Sequence, residues 1–366
     1  MLATAAGPKK HVMTGERRTG TGRPTIRDVA AVAGVSMKTV SRVVNGEPGV
    51  SDQLTLRVTA AIEQLRYRHN LAASTLRRAD GRTATVGVLL IDIGDPFFSS
   101  VNRAIQHVAR ARGVDVLVAC SDEDPTLERM VIQAFARRYV DGLILAPTGE
   151  DHSHLTRELE AGVPLVVFDR PASIDTDAVL SDNRVAVATG VAHLIRAGHR
   201  RIAYIGGDHD AVFPVQQRLA GYVDALTDAG VEVDKRLVRH CHTPRQTQRA
   251  LETLLAQRDP PTALFTCTNH ITLNVIRTIK AMGVQHSVAV LGFDDFPAAD
   301  LMEPPVSVIA QDPAAIGARA AEVLFRRIDG DRSPASVHVI PTVLIPRGSG
   351  EILGPVRDPS VTVLSE

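Results

Sequence analysis

The sequence predicts two architectures in one chain: a small all-α module at the N-terminus and, beyond a short linker, a larger α/β body of two similar halves. Three observations carry this expectation. Between residues 25 and 65, apolar residues recur at helical spacing in three short segments, the first two joined at Gly34. From Val86 onward, continuous apolar runs alternate with amphipathic stretches. Charge is also divided unevenly along the 366 residues, whose net charge is zero. Residues 1–82 hold 14 Lys and Arg against 6 Asp and Glu, net +8, leaving 27 against 35, net −8, for the rest. A basic end on an acidic body suits a nucleic-acid module attached to something else.

The first helical segment places Ile26, Val29, Ala30 and Ala33 on one face, with Thr25 as N-cap and Asp28 near the positive helix end. Gly34 breaks the run where a turn needs positive φ, and Ser36 caps a second helix from Met37 to Asn45. Val40, Val43 and Val44 point inward there, while Met37, Lys38, Ser41 and Arg42 face out. Two helices joined by a glycine turn, the second polar outside, fit either a plain αα-hairpin or a DNA-reading helix-turn-helix. Ser51 opens a third helix through Leu65, whose Leu54, Val58, Ala61, Ile62 and Leu65 supply the core that two short helices lack.

Residues 1–22, with Lys9, Lys10, Arg17 and Arg18, read as a disordered basic leader, and Met13 offers an alternative start. The polar stretch Arg77–Thr83 marks the domain boundary. The body begins with an apolar strand at Val86–Ile91 and a helix from Phe98 to Arg112. Strands at Val114–Ala119, Gly142–Ala146, Leu165–Phe168 and Val179–Leu180 follow, with a helix at about Pro125–Tyr139. The second half repeats the scheme. Strands at Ile202–Ile205, Ala263–Phe265 and Val288–Leu291 lie between helices around Val185–Ala197, Gln216–Ala229, Gln246–Gln257 and Ile271–Met282. Fully apolar strands between such helices imply parallel sheets covered on both faces, and two such halves fit a two-lobed periplasmic-binding-protein-like fold.

The composition excludes several functions. Three scattered cysteines, Cys120, Cys241 and Cys267, make neither a CxxC pair nor a disulfide framework, so a reducing cytoplasm is expected. No run approaches transmembrane length and no signal-peptide core is present, so no membrane partner is expected. GxSxG, P-loop, HExxH and GxGxxG motifs are all lacking. The adjacent pair Asp294-Asp295 cannot act as two acids on facing walls. The thirteen histidines show no ligand spacing with the cysteines, so no metal and no cofactor is expected.

The run TIRDVAAVAGVSMKTVSRVVNG, then VS, then AIEQLRYRHNLAASTL, resembles the DNA-binding headpiece and hinge of the lactose-repressor/galactose-repressor (LacI/GalR) family. The likeness extends from about Arg23 to Arg347. It implies a helix-turn-helix domain at 23–69, a hinge helix and linker at 70–82, and a two-lobed effector-binding and dimerisation domain at 83–347, with 348–366 a tail. Because the chain of such a body crosses between lobes three times, Val306–Ala310 is expected to be a late crossing. The tail has no leucine heptad, so the tetramer-forming element of some relatives is not expected.

The resemblance also implies the sites. Lys38 and Arg42 offer donors to guanine edges and Met37 an apolar contact to a thymine methyl. Thr25, Ser41 and Asn45 suit phosphates, which position without specifying, and Ser36 caps the reading helix. In the hinge, Asn70 would cap a short helix, Ala72 and Ala73 would let a partner helix approach, and Leu76 would wedge into the minor groove. The effector site should lie between the lobes at the carboxyl ends of strands. Asp95, Phe97 and Phe98 stand in Asp-Pro-Phe-Phe, at the family's ligand-stacking position. Asp169 ends a strand, Arg218 matches the arginine that forks onto ligand oxygens, and Asp294 matches a carboxylate expected on the opposite wall. Asn269 matches the family's Ala-Asn-Asp pattern, which here reads Thr268-Asn269-His270. His242 stands where relatives carry an aromatic lid, and Val212 and Pro214 are apolar where purine-binding relatives hydrogen-bond. The expected protein is a homodimeric regulator, most readily a repressor, that binds palindromic double-stranded operator DNA under control of a sugar-like small molecule. The other reading is a stand-alone cytoplasmic sugar-binding protein, which duplex DNA would not retain.

Overall fold

The computed structural model describes residues 24–44, 47–67, 82–207 and 212–355. The chain divides into two units, residues 1–81 and 82–366. Asn45, Asn70, Ala72, Ala73 and Leu76, with the leader, lie outside the described residues.

In the N-terminal unit the described helices are α1 (Ile26–Ala33), α2 (Met37–Val44) and α3 (Asp52–Leu65). The Thr25 backbone N–H and hydroxyl both donate to the Asp28 carboxylate, at 2.8 and 2.7 Å, which closes the start of α1. Gly34 ends it at φ 63°. A Cβ there would meet the Arg57 guanidinium at 2.8 Å, and that guanidinium donates to the Ala33 carbonyl at 2.6 Å. Backbone conformation therefore favours glycine at the turn, while the Arg57 tip could shift to admit a Cβ. Val29, Ala30, Ala33, Val40, Val58 and Ala61 form the core.

The larger unit begins with β1 (Thr85–Leu90), α4 (Pro96–Ala111), β2 (Asp115–Cys120), α5 (Pro125–Ala136) and β3 (Leu143–Leu145). It continues through α6 (Ser153–Glu160), β4 (Leu165–Phe168) and β5 (Asp177–Ser181). The second half holds α7 (Asn183–Arg196), β6 (Ile202–Gly206), α8 (Phe213–Asp228), β7 (Val238–His240) and α9 (Pro244–Leu255). After these come β8 (Ala263–Thr266), α10 (Asn269–Ala281), β9 (Ala289–Phe293) and β10 (Ser307–Ala310). The chain ends with α11 (Pro313–Ile328), β11 (Val337–Ile340) and β12 (Val343–Ile345).

Two six-stranded sheets result, ordered β11-β5-β4-β3-β1-β2 and β12-β10-β9-β8-β6-β7. All neighbours are parallel except β10 and β12. The same winding occurs in both lobes, with the strand order reversing beside β1 and beside β6, where ligand crevices form at the strands' carboxyl ends.

The described chain passes between sheets after β5, after β10 and between β11 and β12. Val306–Ala310 is therefore not itself a crossing. Ser307 and Ile309 are in register with Leu291 and Phe293 of β9, which makes this buried segment a strand of the second sheet. The passage comes one residue later, at Gln311. The body also continues past Arg347. Ser349 is buried, its N–H donates to the Pro305 carbonyl at 2.9 Å, and the Gly354 N–H donates to the Ala197 carbonyl at 2.8 Å. Pairing and burial, not a polar tail, account for residues 348–355.

Candidate functional site

Each unit carries its own candidate surface. In the headpiece, Ser36 Oγ accepts from the Thr39 N–H at 3.1 Å and so caps α2. Val40 is buried on the inner face, whereas Met37, Lys38 and Arg42 are exposed and Ser41 is half-buried. The exposed set falls on consecutive turns of one face, which is the arrangement a groove-reading helix needs. Arg42 Nε lies 3.5 Å from Glu47 Oε2, a residue the sequence reading did not single out. Both side chains are about half exposed there, so the pair is weak and leaves the guanidinium available to another acceptor. Thr25 is exposed at the start of α1.

In the body, a cavity of about 310 Å³ opens between the lobes at the carboxyl ends of the strands. Asp95, Phe97, Phe98 and Asp169 reach it from the first lobe, and Arg218, His242, His270 and Asp294 from the second. Asp95 caps α4, accepting from the Phe97 N–H at 2.8 Å. Phe97 and Phe98 meet edge to face at 5.1 Å, and Phe98 meets Phe168 at 6.1 Å. Both rings are nearly buried, so each serves core and cavity together.

Non-glycine residues in the left-handed region cluster at this cleft. Asp122 and Glu123 follow β2 at φ 50° and 59°, Asp169 follows β4 at 66°, and Asp294 follows β9 at 70°. Such backbones are uncommon outside glycine and persist where surrounding structure enforces them. Here they aim three carboxylates, Glu123, Asp169 and Asp294, into one space.

Arg218 is fixed on every side. Its Nε donates to Asn183 Oδ1 at 2.8 Å, its Nη1 donates to the Cys267 carbonyl at 2.7 Å, and its guanidinium lies 3.7 Å over the Phe293 ring. Asp294 Oδ2 is 3.8 Å from Arg218 Nη1. This corrects the expectation of opposite walls: Arg218 on α8 and Asp294 after β9 belong to the same lobe, because both elements pack on the second sheet. The wall facing them consists of Asp95, Asp169 and the two phenylalanines. Gln311, on the crossing strand, donates to Asp294 at 2.7 Å and also bonds Ser181.

Burial sets the charges. It pushes the Asp294 carboxyl up to about 6, only partly opposed by Arg218. Burial also raises Asp169, against the pull of Arg170 and Arg218. At Asp95 burial acts in the same direction, but hydrogen bonds from His270, the Phe97 N–H and Asn269 outweigh it, and the carboxyl falls below its ordinary value. Asn269 Nδ2 donates to Asp95 Oδ1 at 3.2 Å, and His270 Nε2 stands 3.3 Å from Asp95 Oδ2. Both contacts join one lobe to the other. The Asn269 side-chain oxygen is buried with no partner among the described residues. His242 lines the cavity and its N–H donates to Gln246 at 2.9 Å.

Sequence reasoning missed Glu123, Arg170, His270 as a bridge, and Gln311. Arg170 donates to both Glu123 oxygens at 2.9 and 3.0 Å and to Asp169 at 3.2 Å. The fragment Phe-Asp-Arg-Pro at 168–171 held a signal for Arg170; Gln311 is brought to the site by topology alone. Among the described residues, no group of three or more His, Cys, Asp or Glu is placed to hold a metal ion. No described helix is long and apolar enough to cross a membrane.

Comparison with known proteins agrees with both units. Residues 25–70 match the model of bacterial regulatory proteins of the lacI family, and residues 191–350 match a periplasmic binding protein-like domain. The chain is 31% identical to catabolite control protein A of Priestia megaterium over 87% of its length and 96% of that protein's. It is 34% identical to the transcriptional regulator CelR of Thermobifida fusca, over 90% and 98% of the two chains. Among solved structures, the lac repressor dimer bound to operator and the anti-inducer ONPF superposes at a TM-score of 0.78, with 25% identity and 91% of this chain covered. All of that chain is covered in return. On the headpiece, the paired doubly wound lobes and these matches, the chain belongs to the lacI family of bacterial regulatory proteins.

Proposed function

We propose that the protein is a sequence-specific transcription repressor, working as a homodimer in the cytoplasm, whose operator affinity is set by a sugar bound between the two lobes. One observation carries the reading. A single chain holds both a helix-turn-helix with an exposed Met37, Lys38 and Arg42 face and an interlobe cavity walled by carboxylates and aromatic rings. The relatives point the same way. One is the ribose operon repressor of Haemophilus influenzae, and a CelR structure is a complex with cellobiose.

The roles follow from chemistry. Lys38 and Arg42 donate to guanine edges and Met37 meets a thymine methyl, while Thr25 and Ser41 hold phosphates. In the cleft, Asp169, Asp294 and Asp95 accept sugar hydroxyls, Arg218 donates to a ring or hydroxyl oxygen, and Phe97 and Phe98 cover the C–H face. His242 completes the second wall, and Asn269, which does not line the cavity, acts through its bond to Asp95. A sugar shifts operator affinity only as far as it binds one lobe arrangement better than the other.

The test is selection of duplex DNA by the full-length protein, followed by titration of the selected complex with sugars. A palindromic site, released or tightened by a sugar, is the expected result. A protein that binds sugar but retains no duplex would be a stand-alone binding protein.

A further inference from the structure

We propose that the cleft is built for two linked sugar rings, the second seated in a chamber beside the central cavity and bounded by Glu123, Arg170, Ala172, Phe213 and Gln216. The proposal rests on the reading of the cleft as a sugar site and extends it to the class of ligand: a neutral disaccharide.

The central cavity of about 310 Å³ adjoins a second of about 470 Å³. Glu123, Arg170 and Val212 line both, so the two spaces share a wall and a ligand can pass from one to the other. Each alone is large enough for a small ligand, for which pockets start at roughly 300 Å³. A single ring in the central cavity leaves the larger one to water.

The second chamber has sugar-binding chemistry. On its polar side Glu123 is held by Arg170 through two bonds, at 2.9 and 3.0 Å. Each carboxylate oxygen keeps lone pairs for hydroxyl donors. Glu123 and its neighbour Asp122 both have left-handed backbones, which present that carboxylate on the boundary between the chambers. On the apolar side Phe213, at the start of α8, lines the chamber with Ala172 and packs against the core of the first lobe. A chamber lined by both an aromatic ring and a fixed carboxylate suits a pyranose, which has an apolar face and a rim of hydroxyls.

A third space of about 320 Å³ lies on the other side of the central cavity, but its added wall is Pro96, Phe296, Pro297 and Pro313. Elongation therefore runs toward Phe213. The charge of the ligand follows from the cations. Arg170 is engaged by Glu123 and Asp169, and Arg218 by Asn183 and Cys267 with Asp294 3.8 Å away, so both charges are already faced by carboxylates. A phosphate or carboxylate on the sugar would meet carboxylates.

The test is calorimetry on the full-length protein with cellobiose, maltose, lactose and xylobiose, each beside its constituent monosaccharides. At least one disaccharide is expected to bind tenfold or more tighter than either of its own rings. Gln216→Ala and Ala172→Leu, which touch only the second chamber, are expected to cut that margin tenfold while changing monosaccharide affinity less than threefold. Equal affinity for single and linked rings overturns the proposal and leaves the sugar-controlled repressor standing. An undiminished margin in both variants, or binding of none of these sugars, also overturns it. Operator binding by the sugar-free wild-type protein, measured alongside, separates those outcomes from failure of the repressor reading.

Discussion

A carboxyl taken out of water with one guanidinium 3.8 Å away loses more hydration than that partner returns, which is why Asp294 titrates near 6 rather than 3.8. Below pH 3.8 both folded and unfolded forms are protonated there. Between 3.8 and about 6 the folded form alone keeps the proton, so this stabilising contribution is lost as pH rises through 6. Asp294→Asn, neutral throughout, is therefore expected to be more stable than wild type at pH 7, by up to about 3 kcal/mol at 1.36 kcal/mol per pH unit. The margin should vanish near pH 4. Thermal melts across pH 4–8 check this, and a margin independent of pH would show that the ionised carboxylate is not the cause. In the headpiece, the weak Arg42–Glu47 pair costs little to break, so Arg42→Ala is expected to lose about 1–3 kcal/mol at one operator position. Random duplex should be bound almost as before; equal losses on both, in a fluorescence-anisotropy titration, would make Arg42 a phosphate contact. Asp169, Arg218 and Asp294 could be found in the sequence because each sits in a short motif at a strand end or helix start. Glu123 and Gln311 could not, because their neighbours in the cleft are distant in sequence and only the crossings assemble them.

Element reading went astray at some helix starts and passed over α6, β7 and α11 altogether. Pro96, Pro125, Pro244 and Pro313 all stand at the first position of a helix, where a missing N–H is no loss. The expected starts of α4 and α9, at Phe98 and Gln246, fall two residues after Pro96 and Pro244. The strands β11 and β12 escaped notice for another reason. They are edge strands of four and three residues, and Val337, Val339 and Val343 are exposed rather than part of an apolar run. The paired lobes also share a packing device. A Cβ on Gly221 of α8 would lie 2.2 Å from the Arg184 carbonyl of α7, and one on Gly317 of α11 would lie 2.3 Å from the Val101 carbonyl of α4. Backbone atoms cannot retreat as a side-chain tip can, so either Gly→Ala change must push two helices apart. A loss of about 1–3 kcal/mol or more is expected for each. Melting temperature against Gly230→Ala, whose surroundings are empty but whose φ is 63°, separates crowding from backbone strain. A Gly221→Ala protein as stable as wild type would mean the helices are not in close contact.

At the scale of the whole body, the lobes meet through few polar contacts, and one of them responds to pH. His270 takes the position where the family pattern has an aspartate and stands 3.3 Å from Asp95 of the other lobe. An aspartate there would repel Asp95; an imidazolium attracts it. The Asp95 carboxylate, aided by Asp92 and Asp294 and opposed by partial burial, raises the His270 value above 6.5. The proton that joins the lobes is thus held more firmly than on a free imidazole and is lost as pH climbs through the raised value. Asn269, also on Asp95, does not titrate, so the lobes keep one link at every pH. Sugar affinity requires the two lobes together and is expected to fall as pH rises from 6 to 8.5. Because the His270 side chain is 61% exposed, the pair is worth about 0.2–1 kcal/mol, or up to about fivefold in affinity. Asp294, near 6, is still titrating at the lower end of that window, and its share of the slope is common to wild type and a His270 variant. His270→Gln keeps a donor for Asp95 without a titrating proton, so its affinity should fall less than that of wild type over the same range. Calorimetric titrations of wild type and variant at pH 6, 7 and 8.5 decide the matter. Parallel slopes in the two proteins would place the pH dependence on another group and leave Asn269 as the contact that holds the lobes.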